Sequence, residues 1–154
     1  ATGTDRVEFL ISPNIGEALR PVAQIASGGE LSRIVLALKT LLATQDAVET
    51  VIFDEVDAGI GGREAGKVGK KLDNLARFQQ VVCITHLPQI PRFGKTHFKI
   101  EKRIRKRRTT AIITPVSGEE RIKELARMLG GAKTTRKALE HARELLETSS
   151  ATGR

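Results

Sequence analysis

One cysteine, one methionine, five phenylalanines and neither tryptophan nor tyrosine occur in these 154 residues. The lone cysteine, Cys83, excludes an internal disulfide framework and suits a reducing compartment. Set in the apolar run Val81-Val82-Cys83-Ile84, it reads as a small core residue and not as a nucleophile. Without Trp or Tyr there is little on which nucleobases could stack. No apolar run approaches the roughly 20 residues that cross a bilayer, and the amino-terminal stretch lacks the layout of a signal peptide. Neither His97 nor His141 has partners at metal-ligand spacing, so both read as structural or surface residues. There is no internal repeat and no low-complexity tract. The length and the 40% hydrophobic content suffice for one domain with its own core.

What is abundant is positive charge, and it is local. Of a formal net charge of +8, six come from Lys102, Arg103, Arg105, Lys106, Arg107 and Arg108, which leaves a nearly balanced body. Such a cluster can bind nucleic-acid phosphates without sequence preference. It can equally be a solvated hairpin tip whose like charges discourage edge pairing.

In chain order, Val7 to Ile11 predicts a strand closed by Ser12-Pro13-Asn14, and Leu19 to Ile25 a second extended piece. Ser27 and Glu30 have the S-x-x-E spacing of a capping box. Leu31, Ile34, Val35, Leu38, Leu41 and Leu42 then repeat at helical spacing, so a helix is expected from about Ser27 to Ala43. Thr50 to Phe53 and Val81 to Thr85 read as strands buried on both faces, joined by a helix ending near Arg77 with Ala65, Val68, Leu72, Leu75 and Ala76 inward. That is a βαβ unit with parallel strands. His97 to Arg103 and Thr109 to Val116 predict a hairpin with the basic cluster at its tip. Helices from about Ser117 to Leu129 and Thr135 to Thr148 close the chain. The fold class is therefore α/β: a mostly parallel sheet flanked by helices, with a basic hairpin. Residues 1–148 form a single lobe and 149–154 a frayed tail.

The polar groups fall at one edge of this sheet. Asp54-Glu55 follow one strand and Thr85-His86 the other, at the carboxyl ends where α/β folds place ligands. Asp54 on a rigid strand end suits a hydrated Mg²⁺ ion, and an adjacent Glu55 suits acceptance of a proton from an attacking water. Gly28-Gly29 leave the first turn of their helix uncovered, which is either an anion-binding terminus or an ordinary capped start. Gly61 and Gly66-Lys67 match the G-x-x-x-x-G-K spacing of a phosphate-binding loop. However, Val68 stands where Ser or Thr is needed, and the segment already reads as helix, so it is rejected.

Four motifs in order then resemble those of ABC-type ATPases. Ser27-Gly28-Gly29-Glu30 resembles their signature, Val51 to Glu55 their Walker B strand, Asp57-Ala58-Gly59-Ile60 their D-loop, and Ile84-Thr85-His86 their switch histidine. The longer wording is more particular. Ile25 to Arg33, Phe53 to Ile60, Ile84 to Ile90, Val7 to Pro13 and Glu124 to Gly131 resemble the RecN family, bacterial DNA double-strand-break repair proteins of the SMC-like group.

The resemblance implies the carboxy-terminal lobe of a P-loop NTPase head that is split by a long coiled coil. The amino-terminal lobe, bearing the P-loop, would be a partner, and a second copy of the head another. Two heads would close over two ATP molecules with Mg²⁺. Ser27, Gly28, Gly29 and Glu30 would meet nucleotide held by the opposite head, and Asp57 would couple the sites. Asp54 would support the metal, with Glu55 and His86 catalytic. Expected with this are roles in DNA repair and recombination, DNA as a partner, no membrane, and a cytoplasmic, nucleoid-associated location. Alone, the chain should not turn ATP over. A membrane transporter's ATPase lobe and a non-catalytic basic DNA-binding module are the alternative readings.

Overall fold

The computed structural model describes residues 3–12, 15–24, 27–45, 47–105, 108–131 and 134–150, the side chains of 105, 149 and 150 aside. Strand β1 (Leu10–Ile11) pairs antiparallel with β2 (Arg20–Pro21). The strand expected from Val7 is shorter than the pattern suggested. Its partner ends at Pro21, which has no N–H to donate, and only the bond from Val22 N–H to the Phe9 carbonyl (2.8 Å) continues the pairing. A 3₁₀ turn, Val22–Gln24, takes the place of the rest of the second extended piece. Ile25 and Ala26, the first residues of the signature stretch, lie outside the described residues.

Helix α1 (Gly28–Leu42) starts where the capping pattern put it. Ser27 is extended (φ −111°), and its Oγ accepts the Glu30 N–H at 3.1 Å. Its apolar stripe, though, is not its buried face. Leu31, Val35, Leu38 and Leu42 are exposed, Leu41 is 80% exposed, and Leu36 is the buried leucine. The inward face is Gly29, Ser32, Arg33 and Leu36, one row at i, i+3, i+4 and i+7.

Strand β3 (Thr50–Phe53), helix α2 (Gly62–Leu75) and strand β4 (Gln80–Cys83) form the expected parallel βαβ unit, with Thr50 opposite Gln80 and Phe53 opposite Cys83. Gly66-Lys67-Val68 lie inside α2, in agreement with their rejection as a phosphate loop. The expectation of strands buried on both faces fails. Phe53 is buried and Val51, Val81 and Cys83 pack on the core, while Ile52 (66% exposed), Val82 and Ile84 face outward. A continuous apolar run cannot distinguish a strand covered on both faces from one whose second face is left open.

Strands β5 (His97–Arg105) and β6 (Arg108–Val116) make the hairpin, and α3 (Gly118–Gly130) and α4 (Arg136–Ser150) close the chain. The α/β lobe read from the sequence is thus present. Its single mostly parallel sheet is divided into three two-stranded pairs, of which β3–β4 alone is parallel. Helix α4 continues through Ser150, two residues into the expected tail, and residues 151–154 lie outside the described ones.

Two apolar clusters hold the lobe. One joins Leu36, Phe53, Val56, Ala65, Leu72, Leu75 and Ile90, and the other Leu125, Ala126 and Ala142 between α3 and α4. One polar strap connects them, and a partly buried ion pair lies within α3. Arg121 of α3 donates from Nη2 to the carbonyls of Pro91 (2.8 Å) and Gly94 (2.7 Å), flanking the 3₁₀ turn Pro91–Phe93. The buried Glu124 accepts from Nε and Nη2 of Arg127 (2.8 and 2.6 Å).

Helix α2 packs on that 3₁₀ turn at Gly69. A Cβ there would come within 2.6 Å of the Phe93 ring and 3.2 Å of the Gln89 carbonyl. Gly69→Ala gains up to about 1 kcal/mol of helix propensity, but overpacking costs about 1–3 kcal/mol. A net loss of about 1 kcal/mol is expected in the urea unfolding midpoint, and a gain would show that the contact is looser than it stands.

Candidate functional site

The site forms where the amino end of α1 meets the turn that follows β3. Gly29 is buried because backbone lies against it. A Cβ at that position would come to 2.9 Å from the Glu55 carbonyl, the Ala58 carbonyl and the Ala58 Cβ. Glycine is a packing requirement here, so the first turn, read from the sequence as uncovered, is covered at Gly29 by the backbone of the acidic turn. At Gly28 an added Cβ would stand 2.5 Å from Oε2 of Glu55, so the Glu55 carboxylate lies over the start of the helix. A negative group is favourable at that end of the helix dipole.

Two side chains on the inward row of α1 fasten this turn through its carbonyls. Ser32 Oγ donates to the Asp54 carbonyl (2.8 Å). Arg33 Nη1 donates to the carbonyls of Ala58 (2.8 Å) and Val56 (3.3 Å). Reading the sequence singled out neither residue. The signal available was their helical register with Gly29, which the apolar stripe on the opposite side obscured.

Asp54 and Glu55 are both exposed. Asp54 Oδ1 accepts the Glu55 N–H at 2.9 Å, leaving Oδ2 free of that bond. Glu55 is the one non-glycine residue at positive φ (57°) among the described residues, and its carbonyl accepts from Ala58 N–H (2.9 Å) to close the turn. This left-handed backbone is unfavourable for a residue with a Cβ. The strain is held in place by the Ser32 and Arg33 bonds on either side. Among the described residues no three carboxylate, histidine or cysteine side chains converge as a metal cage. One exposed Asp54 carboxylate suits a magnesium ion that keeps most of its waters and takes phosphate oxygens as ligands.

Asp57, in contrast, is 2% exposed. Its Oδ2 accepts from Thr85 Oγ1 (2.5 Å), from His86 N–H (3.0 Å) and from Leu87 N–H (3.3 Å), and lies 3.1 Å from His86 Nδ1. Burial alone would push this carboxyl up. The Thr85 hydroxyl, the two backbone N–H groups and the His86 ring outweigh it and hold the carboxyl below its ordinary value. Asp57 therefore ties the turn after β3 to the loop after β4, which the Ile84 N–H to Phe53 carbonyl bond (2.9 Å) extends. The His86 side chain is 71% exposed, anchored on its Nδ1 side. Cys83 behaves as a core thiol, pushed up to about 12 by burial and by the charges of Asp57 and Asp54.

The structure brings Ser27, Gly28, Gly29 and Glu30 together with Asp54, Glu55 and Asp57 at this end of the lobe, and Asp57 adds His86. It keeps the basic residues apart from them, on the hairpin. There Lys102, Arg103 and Arg108 are exposed, and Arg103 also pairs with Glu101 (3.0 Å). Lys106, Arg107 and the Arg105 side chain lie outside the described residues. The same hairpin exposes Phe98, Ile100, Ile104 and Ile113 along one face, with Ile100 opposite Ile113. His97 is half-buried beside Arg121, and its Nδ1 lacks a hydrogen-bond partner. His141 is exposed.

The fold defined by these elements is shared with a solved ATPase chain. A solved chain from work on ATP-driven dimerization and DNA-stimulated activation of SMC ATPases superposes with a TM-score of 0.55 at 17% identity, covering 84% of this chain and 77% of that one. No family model matches. Similarity to individual proteins is far stronger: along nearly its whole length the chain resembles the DNA repair protein RecN. It is 51% identical over 144 residues to that of Treponema pallidum (94% of this chain, 25% of that protein). Against Streptomyces coelicolor RecN it is 47% identical over 150 residues (97% and 26%), and against that of Bacillus subtilis 44% over 145 (94% and 25%). The chain thus spans about a quarter of the length of the curated relatives it matches.

The conformation of Glu55 yields a test. Replacing it with Asn, which tolerates positive φ, relieves about 1–2 kcal/mol. It forfeits the carboxylate at the helix terminus, about 0.3–1 kcal/mol. Glu55→Asn should thus raise stability to urea by about 0.5–1 kcal/mol, and a loss would mean that the turn is not strained.

Proposed function

We propose that this chain is the carboxy-terminal lobe of a split, SMC-like ATPase head acting in DNA double-strand-break repair and recombination. The observation that carries the reading is the convergence of Asp54, Glu55 and the Asp57–His86 pair with the glycine start of α1, strapped together by Ser32 and Arg33. The likeness to RecN favours it over a transporter's ATPase subunit, which would use the same motifs. A purely DNA-binding module would leave the acidic turn without a purpose.

In this reading the P-loop belongs to an amino-terminal lobe of the same polypeptide, separated by a coiled coil. The open apolar surface supports such a partner: Leu31, Val35, Leu38 and Leu42 on α1, and Ile52, Val82 and Ile84 on the β3–β4 pair, lie exposed. Two heads close on two ATP molecules. The α1 terminus, with Ser27, Gly28, Gly29 and Glu30, meets the γ-phosphate held by the opposite head, a negative group at a positive helix end. Glu55 then leaves its place over Gly28 and polarises the attacking water, while His86 contacts the γ-phosphate. Asp54 would hold a hydrated Mg²⁺, which supplies charge neutralisation on the phosphates. Coupling between sites, expected of Asp57 alone, is better served by Ser32 and Arg33, which join the trans-acting helix to the turn bearing Glu55. No helix of the described residues is long and apolar enough to cross a membrane. A DNA-repair role puts the protein on the nucleoid, in the cytoplasm.

Glu55→Gln in the full-length protein should cut ATP turnover by about 10²–10⁴-fold, with ATP binding kept and heads remaining paired in sizing experiments. Turnover at the normal rate would overturn the assignment. The 154-residue chain alone should show none.

The basic hairpin supplies the DNA contact in the same reading. Neutralising Lys102, Arg103 and Arg108 together should weaken duplex binding regardless of sequence. It should also flatten the dependence of log affinity on log salt by about one unit per residue. An unchanged slope in fluorescence anisotropy titrations would assign those residues to hairpin solvation alone.

A further inference from the structure

The loop after β4 presents His86 in a particular way, and the cause is one buried group. Asp57 Oδ2 receives the Thr85 hydroxyl and the backbone N–H groups of His86 and Leu87, so its position is fixed before the imidazole is considered. The ring then stands with Nδ1 3.1 Å from the same oxygen, while most of the side chain is exposed. An ionised carboxylate only accepts hydrogen bonds, so a proton must sit on Nδ1 for the contact to be favourable. A neutral imidazole carries one N–H, and solvent-exposed histidine prefers it on Nε2. Asp57 reverses that preference and leaves Nε2 as the outward nitrogen.

Building on the ATPase reading, we infer that Asp57 is the positioning residue of His86: its carboxylate accepts a hydrogen bond from Nδ1–H, fixes the ring plane and turns Nε2 outward, where a second proton taken up on Nε2 lets the ring donate to a phosphate oxygen of the nucleotide. Asp57 touches no substrate itself. Its buried place under the loop makes it a support for the histidine on its own head, where the motif likeness assigned it to communication across the dimer. Thr85 completes the support by holding both Asp57 and, through its hydroxyl oxygen, the Leu87 N–H (3.1 Å).

Ring-¹⁵N-labelled histidine in the intact, nucleotide-free protein reads the tautomer directly, with His86 assigned by its loss in His86→Ala. The neutral His86 ring should show the Nδ1–H form, and Asp57→Ala should return it to Nε2–H. In ATP turnover, Asp57→Ala and His86→Ala should fall by the same factor, and the double variant should fall no further, since the two act as one unit. A wild-type ring in the Nε2–H form overturns the inference, as does a double variant whose losses multiply. Should Asp57→Ala fail to fold, the wild-type tautomer still decides. Should Glu55→Gln keep full turnover, the ATPase reading falls, while the spectrum of the nucleotide-free protein still tests the Asp57–His86 arrangement.

Discussion

Everything at the working end of this lobe depends on the close approach of a helix terminus to an acidic turn. The approach needs a residue without a side chain at Gly29, and it needs donors that convert proximity into a fixed orientation. Ser32 and Arg33 provide these, reaching carbonyls at Asp54, Val56 and Ala58. A turn with an unfavourable backbone angle at Glu55 would otherwise relax. Here the bonds around it over-determine its shape, the condition under which strained residues persist at functional sites. The cost is small per residue, and it puts a carboxylate where ordinary geometry would not.

Much of this was legible in the chain itself. The capped start at Ser27, the parallel unit from Thr50 to Cys83, the hairpin and the two closing helices all follow from spacing and punctuation. So did the gathering of Asp54, Glu55, Thr85 and His86 at one sheet edge, because strands in a βαβ unit must end together. What could not be read was which apolar residues are covered. Leu31, Val35 and Leu38 repeat as regularly as any core stripe, yet Leu36 is the one inside. Periodicity reports that a face is apolar and is silent about what covers it. The same blindness applied to Ile52 and Val82, whose strands read as wholly buried.

The role of Asp57 was hidden for a different reason. A motif assigns a residue by its neighbours in sequence, and the neighbours of Asp57 resemble a D-loop, which the resemblance assigned to an interface. Its partners are Thr85, His86 and Leu87, about thirty residues away, and only the fold discloses them. The polar strap between the two apolar clusters is of this kind as well: Arg121 of α3 grips the carbonyls of Pro91 and Gly94, distant from it in sequence.

The grip on the acidic turn has one more property. All three of its acceptors are main-chain oxygens, present whatever side chain occupies positions 54, 56 or 58. The information that moors the turn to α1 is written in Ser32 and Arg33. A change at 54 or 55 therefore leaves all three of these acceptors in place, although it alters the Asp54 Oδ1 bond to the Glu55 N–H and the fit to the positive φ at 55. A scaffold and its reactive groups thus occupy the same few residues while answering to separate parts of the sequence.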